Sequence, residues 1–281
     1  MKGALSAALL FAMSVAAAGC TSAAFAAEGG GKPFFMFTTA QFSGGEPDAI
    51  RSTLGKYVTG HDYLGLRLGI EFPELGKRVG RSHLYVLPTS VKAVARHGVQ
   101  CGDGTAGLVI YDGENWPDTP AAEQADMPQA IQRAKSAAKT AGCAEFGISP
   151  GGEIAGVVPA ACRYDLAKAV HRNVDWSGIA LFNIQAQTLL SDTCSRSAGV
   201  SAYVNFVSAV ARDVRSRNST TKISAQLSFR HTPPGRMIEA IGRLRGVVDG
   251  FYLAYPQNVG PSCAYCKPQN LATVLAAIRS T

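Results

Sequence analysis

The chain has 281 residues, 47% hydrophobic and 17% charged, with 30 Gly, 14 Pro, 7 Cys and a formal net charge of +7. This apolar content excludes a disordered tail protein and the length excludes a small disulfide-stapled scaffold, which leaves one large α/β barrel or two ordinary domains. After the N-terminus no apolar run reaches the roughly 18 residues of a spanning helix, which excludes a multi-spanning membrane protein.

Met1-Lys2 followed by the Ala/Leu-rich stretch Gly3 to Ala18 has the positive start and short apolar region of a secretory signal. Two exits are readable. Ala17-Ala18-Gly19-Cys20 resembles a bacterial lipoprotein box, in which Cys20 is the acylated residue, and Ala24-Phe25-Ala26 is a small-x-small site for ordinary cleavage. Residues 1–20 are therefore expected to be a signal peptide of either type, 21–32 a flexible tether rich in Ala and Gly, and 33–281 one domain. An exported chain has no nucleic acid to meet. The basic spots at Lys77, Arg78 and Arg81, and at Arg212, Arg215 and Arg217, read as solvated faces, or as attraction to anionic polymers at a cell surface.

In chain order, apolar strand-like runs stand at Phe34–Thr38, His83–Leu87, Leu108–Tyr111, Glu145–Ile148, Ile179–Ile184, Ile223–Leu227 and Phe251–Tyr255, with Leu66–Ile70 as a candidate extra strand. Helical patterns lie between them. Thr119-Pro120 reads as an N-cap and first helical residue. Pro128–Ala141 carries Ile131, Ala134, Ala138 and Ala141 on one face. Tyr203, Phe206, Val207, Val210 and Val214 form a stripe, as do Leu271, Val274, Leu275 and Ile278. Both stripes read as core. Seven or eight strand–helix units over about 250 residues suit a (β/α)₈ TIM-type barrel with room for one irregular or missing unit. An open doubly wound sheet is the alternative, but no glycine-rich nucleotide loop is present to support it.

Setting Cys20 aside leaves six cysteines, an even set that reads as disulfides in an oxidising compartment. In a barrel, Cys101 and Cys143 each precede adjacent strands and share the N-terminal face, whereas Cys162 and Cys194 each follow adjacent strands and share the other face. The expected pairs are 101–143, 162–194 and a local 263–266 bridge. Cys263-Ala-Tyr-Cys266 alternatively reads as a redox pair, and zinc lacks a second ligand pair nearby.

The chemistry is concentrated at Gly107-Leu-Val-Ile-Tyr-Asp-Gly-Glu-Asn-Trp116. Residues two apart on a strand share a face, so Asp112 and Glu114 both point to the barrel mouth, while Tyr111 packs outward. Two close carboxyls separate their pKa values, one holding a proton while the other stays ionised, as cleavage of a glycosidic bond requires. Trp116 offers a stacking face for a sugar. The plainer reading is a solvated Asp-Gly turn. In Phe182-Asn-Ile-Gln-Ala-Gln187 the amides Asn183, Gln185 and Gln187 share a face, either as ligands for a sugar or as a buried amide ladder. Gln226, Ser228 and Arg230 repeat the pattern on the next strand, and Tyr255 ends the last one. His61, His83, His97, His171 and His231 form no triad and have no metal-ligand spacing.

At these residues the chain resembles the family 18 glycoside hydrolases, the chitinases and chitinase-like barrels, in which a strand ends in DxxDxDxE. Tyr111-Asp112-Gly113-Glu114 matches the terminal DxE, and Ile110 stands where the middle Asp would be. The resemblance implies Glu114 as general acid and Asp112 as the carboxylate that orients the substrate. Val174-Asp-Trp-Ser-Gly-Ile-Ala-Leu-Phe-Asn-Ile-Gln-Ala-Gln187 is similar to that family's strand carrying a Gln, and Lys222–Leu227 and Gly250–Tyr255 fall where its last two strands would. The likeness spans roughly residues 105–281. The chain also looks like secreted actinobacterial barrel proteins with a YDxExW strand end.

The expectation is thus a secreted or lipid-anchored barrel acting on a carbohydrate polymer or oligosaccharide. Glu114 and Asp112 would be catalytic, and Trp116, Asn183, Gln185, Gln187, Gln226 and Tyr255 would hold substrate. No cofactor and no metal is expected. The alternatives are a sugar-binding envelope lipoprotein without catalysis and a structural envelope protein. The sugar, the stereochemical outcome and the oligomeric state stay open.

Overall fold

The computed structural model describes residues 32–37, 47–230, 232–255 and 263–280. The predicted signal peptide, Cys20, the tether up to residue 31, Thr38 and His231 lie outside the described residues.

Eight parallel strands close into a barrel. They are β1 (Phe34–Phe37), β2 (Tyr63–Gly65), β3 (Leu84–Val86), β4 (Leu108–Tyr111), β5 (Glu145–Ile148), β8 (Leu181–Ile184), β9 (Lys222–Ser228) and β10 (Gly250–Ala254), each hydrogen-bonded to the next and β10 to β1. The fold is the (β/α)₈ barrel that the alternation of strand and helix predicts. Helices α1 (Pro47–Tyr57), α4 (Val91–His97), α7 (Met127–Thr140), α8 (Arg196–Arg217), α9 (Pro234–Leu244) and α10 (Pro268–Arg279) cover the outside. The strands are buried on both faces, and this makes them continuously apolar rather than alternating. Phe34, Met36, Tyr63, Tyr85, Leu108, Ile110, Leu181 and Tyr252 fill the interior. The opposite parity, including Phe35, Val109, Phe146, Phe182, Ile223 and Phe251, packs against the helices. The stripes Tyr203 to Val214 and Leu271 to Ile278 are buried there, as their spacing predicts.

One strand departs from expectation, and the irregular unit that the sequence leaves room for is present. Leu66–Ile70 is not a strand: it lies in helix α2 (Leu66–Glu71), and the strand is the three-residue Tyr63–Gly65 just before it. Leu-Arg-Leu-Gly-Ile alternates as a strand does. The helix nevertheless buries Leu66, Leu68 and Gly69 and crosses α3 (Pro73–Val79) so closely that a Cβ on Gly76 would sit 2.7 Å from the Gly69 carbonyl oxygen. The irregular unit falls between β5 and β8. No long helix covers that connection. It is a two-stranded hairpin, β6 (Val157–Val158) and β7 (Arg163–Tyr164), followed by 3₁₀ turns at Leu166–Lys168 and Val170–Asn173, and it packs on α8 through Tyr164 and Phe206, whose rings are 5.2 Å apart.

The cysteines pair as 101–143, 162–194 and 263–266, with Cα–Cα distances of 4.6, 5.6 and 5.4 Å. The first ties α5 (Val99–Gly102) to the start of β5 on the N-terminal face. The second ties the hairpin to the loop before α8 on the C-terminal face. A Cys101→Ser/Cys143→Ser double variant should lose about 2–4 kcal/mol in denaturant unfolding, because the bridge closes a 42-residue separation in the unfolded chain. An unchanged midpoint would mean that this bridge does not form. Among the described residues no helix is long and apolar enough to cross a membrane.

Candidate functional site

The C-terminal ends of β4, β5 and β8 place their next residues side by side at the mouth. Asp112 follows β4, Ser149 follows β5 and Gln185 follows β8, and the Ser149 amide donates to the Tyr111 carbonyl (2.9 Å), which continues the ladder past the strand ends. Inward parity then gathers the polar side chains. Gln185 Nε2 lies 2.9 Å from Asp112 Oδ1, 2.8 Å from Glu114 Oε1, 3.0 Å from the Ser149 carbonyl oxygen and 3.1 Å from Ser149 Oγ. Both carboxyls are thus within 2.9 Å of one nitrogen, and the two contacted oxygens are less than twice that distance apart.

Asp112 is buried and Glu114 half-buried, with Glu114 facing the cleft above. Burial pushes the Asp112 carboxyl well above the usual carboxylate range, the neighbouring Glu114 charge adds to this, and the Ser149 hydroxyl and Gln185 amide offset part of it. Burial also raises Glu114, against the Gln185 amide. Two acids this close titrate as a unit and retain a shared proton to higher pH than a free carboxyl does.

Beneath them the amides form a connected network. Asn183 Nδ2 donates to Ser149 Oγ (3.0 Å) and to Gln226 Oε1 (2.6 Å), and Ser224 Oγ donates to Asn183 Oδ1 (3.0 Å). Gln187, past the end of β8, donates from Nε2 to Gln185 Oε1 at 3.4 Å. The predicted residues Asp112, Glu114, Asn183, Gln185, Gln187 and Gln226 therefore belong to one assembly. Ser228 and Arg230 stay outside it: Ser228 Oγ accepts from the Arg230 backbone amide, and Arg230 is exposed.

Tyr255 is a correction. Its ring is fully buried between the barrel and the helices, with centroids 5.2 Å from Phe229 and 6.2 Å from Phe37. It shares the outward parity of Phe251 and Leu253, so it cannot touch a ligand at the mouth. Thr119 is a second correction. It does not cap a helix; α6 (Ala121–Ala125) starts after Pro120. The Thr119 hydroxyl instead accepts from the Glu114 backbone amide (3.0 Å) and donates to the Thr89 carbonyl (2.9 Å), which pins the Glu114 turn to the loop after β3. Tyr111 points outward as predicted, and its hydroxyl donates to buried Glu123 Oε2 on α6 (2.8 Å).

Above Glu114 opens a cleft of about 230 Å³, lined among others by Trp116, Glu153, Gln185 and Gln187. Trp116 is 49% exposed at the cleft. The Gly151 backbone reaches the acid because it lacks a side chain: a Cβ there would stand 3.2 Å from Glu114 Cα, Cβ and Cγ. Sequence reasoning missed Ser224, Asn115 and Glu153, and it missed the hydrogen-bonding role of Ser149, whose segment Ser149-Pro150-Gly151-Gly152 reads only as a loop at the mouth. Ser149 was discoverable, since it sits two residues after Gly147 on the inward parity. Nothing in the sequence marks Asn115 or Glu153.

Among the described residues no group of three or more His, Cys, Asp or Glu is placed to hold a metal ion. No protein-family model matches the chain, and no curated protein matches it significantly. Solved structures do. Active domain 2 of a chitinase from Pyrococcus furiosus superposes with a TM-score of 0.51 at 7% identity, over 89% of this chain and 97% of that one. A pyruvate carboxylase from Rhizobium etli gives 0.45 at 12% identity over 89% of this chain, which spans only 27% of the carboxylase. A type I 3-dehydroquinate dehydratase from Clostridium difficile gives 0.40 at 11% identity, over 88% and 93% of the two chains. At 7% identity the likeness to the chitinase domain is one of barrel fold alone.

Proposed function

We propose that this chain hydrolyses a glycosidic bond of a carbohydrate polymer or oligosaccharide at the cleft over Asp112 and Glu114. The observation that carries the reading is the acid pair held on one amide, Gln185, at the floor of an open cleft. Glu114 reaches the cleft and is the proton donor. As the bond between the ring carbon and the glycosidic oxygen breaks, the proton passes to that oxygen, and the charge left on the pair faces the positive charge developing on the carbon. Water then supplies the hydroxyl to the carbon and returns a proton to the pair. Inverting enzymes separate their carboxyls by roughly 6.5–9.5 Å to admit a water, and this pair is closer. Asp112, buried below Glu114, therefore acts as proton store and charge stabiliser rather than as a base on the far face of the sugar. Trp116 stacks on the sugar ring, and Asn183 and Gln226 hold the floor in place.

A second reading, sugar binding without cleavage, is favoured by one observation. Ile110 is buried in the barrel interior where the resembled family carries a further Asp, so β4 places no third carboxyl below the pair. A reducing-end assay on chitin, peptidoglycan and amino-sugar polymers separates the two. Hydrolysis by the parent that disappears in Glu114→Gln, with binding kept, supports the enzyme; binding by both proteins without released ends supports the lectin-like reading. Turnover unchanged by Glu114→Gln removes Glu114 from the mechanism. The three disulfides suit an oxidising compartment, in keeping with export, either released or anchored through Cys20.

A further inference from the structure

Resting on the hydrolase reading, the geometry points to a cationic substrate: an amino-sugar chain with free, unacetylated amines, whose ammonium group is received by Glu153 on the cleft rim. The chain carries a net charge of +7, yet no Lys or Arg lines the cleft among the described residues, while Glu114 and Glu153 both do. The amide nitrogens there are already engaged. Asn115 Nδ2 donates to Glu153 Oε2 (3.1 Å), Gln185 Nε2 is turned onto the acid pair and Gln187 Nε2 onto Gln185. What remains unmatched is acceptor capacity. Gln187 Oε1 is buried without a hydrogen-bond partner. Exposed Trp116 adds an aromatic face that attracts cations. A positively charged group suits the Glu153 carboxylate and the Trp116 face, whereas an acidic sugar would meet Glu153 with no counter-charge among the described lining residues.

Asn115 fixes the Glu153 carboxylate from one side and leaves its other oxygen for ligand, which makes Glu153 a specificity residue distinct from the acid pair. The test is calorimetric titration of the parent and Glu153→Gln with two probes, a β-1,4-linked glucosamine hexamer and its fully N-acetylated counterpart, at low and high salt. The glucosamine hexamer should bind the parent about tenfold more tightly than the acetylated one, with the difference shrinking in salt. Glu153→Gln should remove most of that difference and leave the acetylated hexamer unaffected, and Glu153→Lys should reverse the preference. Equal or tighter binding of the acetylated hexamer, a preference that survives Glu153→Gln, or binding of neither probe overturns the proposal. Release of reducing ends is scored separately. Preferential binding without hydrolysis would overturn the enzyme and keep the ligand class, and hydrolysis restricted to acetylated or acidic polymers would do the reverse.

Discussion

Asp112→Asn should melt higher than the parent at neutral pH and yet turn over glycosidic substrate about 10²- to 10⁴-fold more slowly. Both effects have one cause. Burial and the adjacent Glu114 raise the Asp112 carboxyl in the folded state, so ionising the pair opposes folding. The stabilising contribution of such a group is complete below the ordinary carboxylate range, and it is lost as pH rises from that range through the raised folded-state value. At pH 7 the fold has borne that loss, and an amide of the same shape, still able to accept from Gln185, escapes it. The gain in Tm should therefore be present at pH 7 and vanish near pH 3. Catalysis moves the other way, because the amide neither stores the shared proton nor carries the charge that faces the developing cation. Calorimetric melts across pH and kcat on the same preparations test both arms. A lower Tm at pH 7 would show that Asp112 is a stabilising ion rather than a strained acid, and an unchanged kcat would remove it from the chemistry. Opposed signs in one variant are the mark of a site kept at the expense of stability.

The elements of the site that were legible in the sequence are those set by strand parity. Asp112, Glu114, Asn183, Gln185 and Gln226 each lie on, or just past, an apolar strand, and alternation alone puts them inside. The same rule applied to β10 would have sent Tyr255 outward with Phe251 and Leu253; reading it as a strand-end residue, like Asp112, ignored its phase. What was not legible depends on contacts between distant segments. Glu153 and Asn115 meet across two loops, 38 residues apart in sequence. Thr119 has a capping residue's chemistry before a proline, but the Glu114 turn and the Thr89 carbonyl claim its hydroxyl first. Strand β2 is three residues long, too short to show a period, and the alternating segment beside it is a helix.

The largest loss of stability is expected at a residue pair with no sequence signal at all, Asp62 and Arg279, which are 217 positions apart. Asp62 is fully buried. It accepts from the backbone amides of Phe35 (2.9 Å) and Thr59 (2.7 Å), from the Thr59 hydroxyl (2.9 Å) and from Arg279. Arg279, on the last turn of α10, also donates to the carbonyl oxygens of Tyr57 and Pro33, and its guanidinium lies 4.8 Å from the Phe35 ring centroid. The pair thus joins β1, the end of α1, the loop before β2 and the C-terminal helix, where the first and last units of the barrel must meet. Asp62→Ala would leave a largely buried guanidinium without its counter-charge and strand three donors, at a cost of about 3–5 kcal/mol. For a chain of this size that lowers Tm by roughly 6–20 °C. Arg279→Lys should recover only part of the stability, since one ammonium cannot span the carbonyls and carboxylate that the planar fork reaches together. Removing both charges, in Asp62→Asn/Arg279→Met, should cost less than Asp62→Ala alone, because no uncompensated ion stays buried. A loss below about 1 kcal/mol for Asp62→Ala would place the pair among the weak surface bridges, such as Arg67–Glu71 on α2, and leave closure of the barrel to the Phe34–Phe37 and Gly250–Ala254 ladder alone.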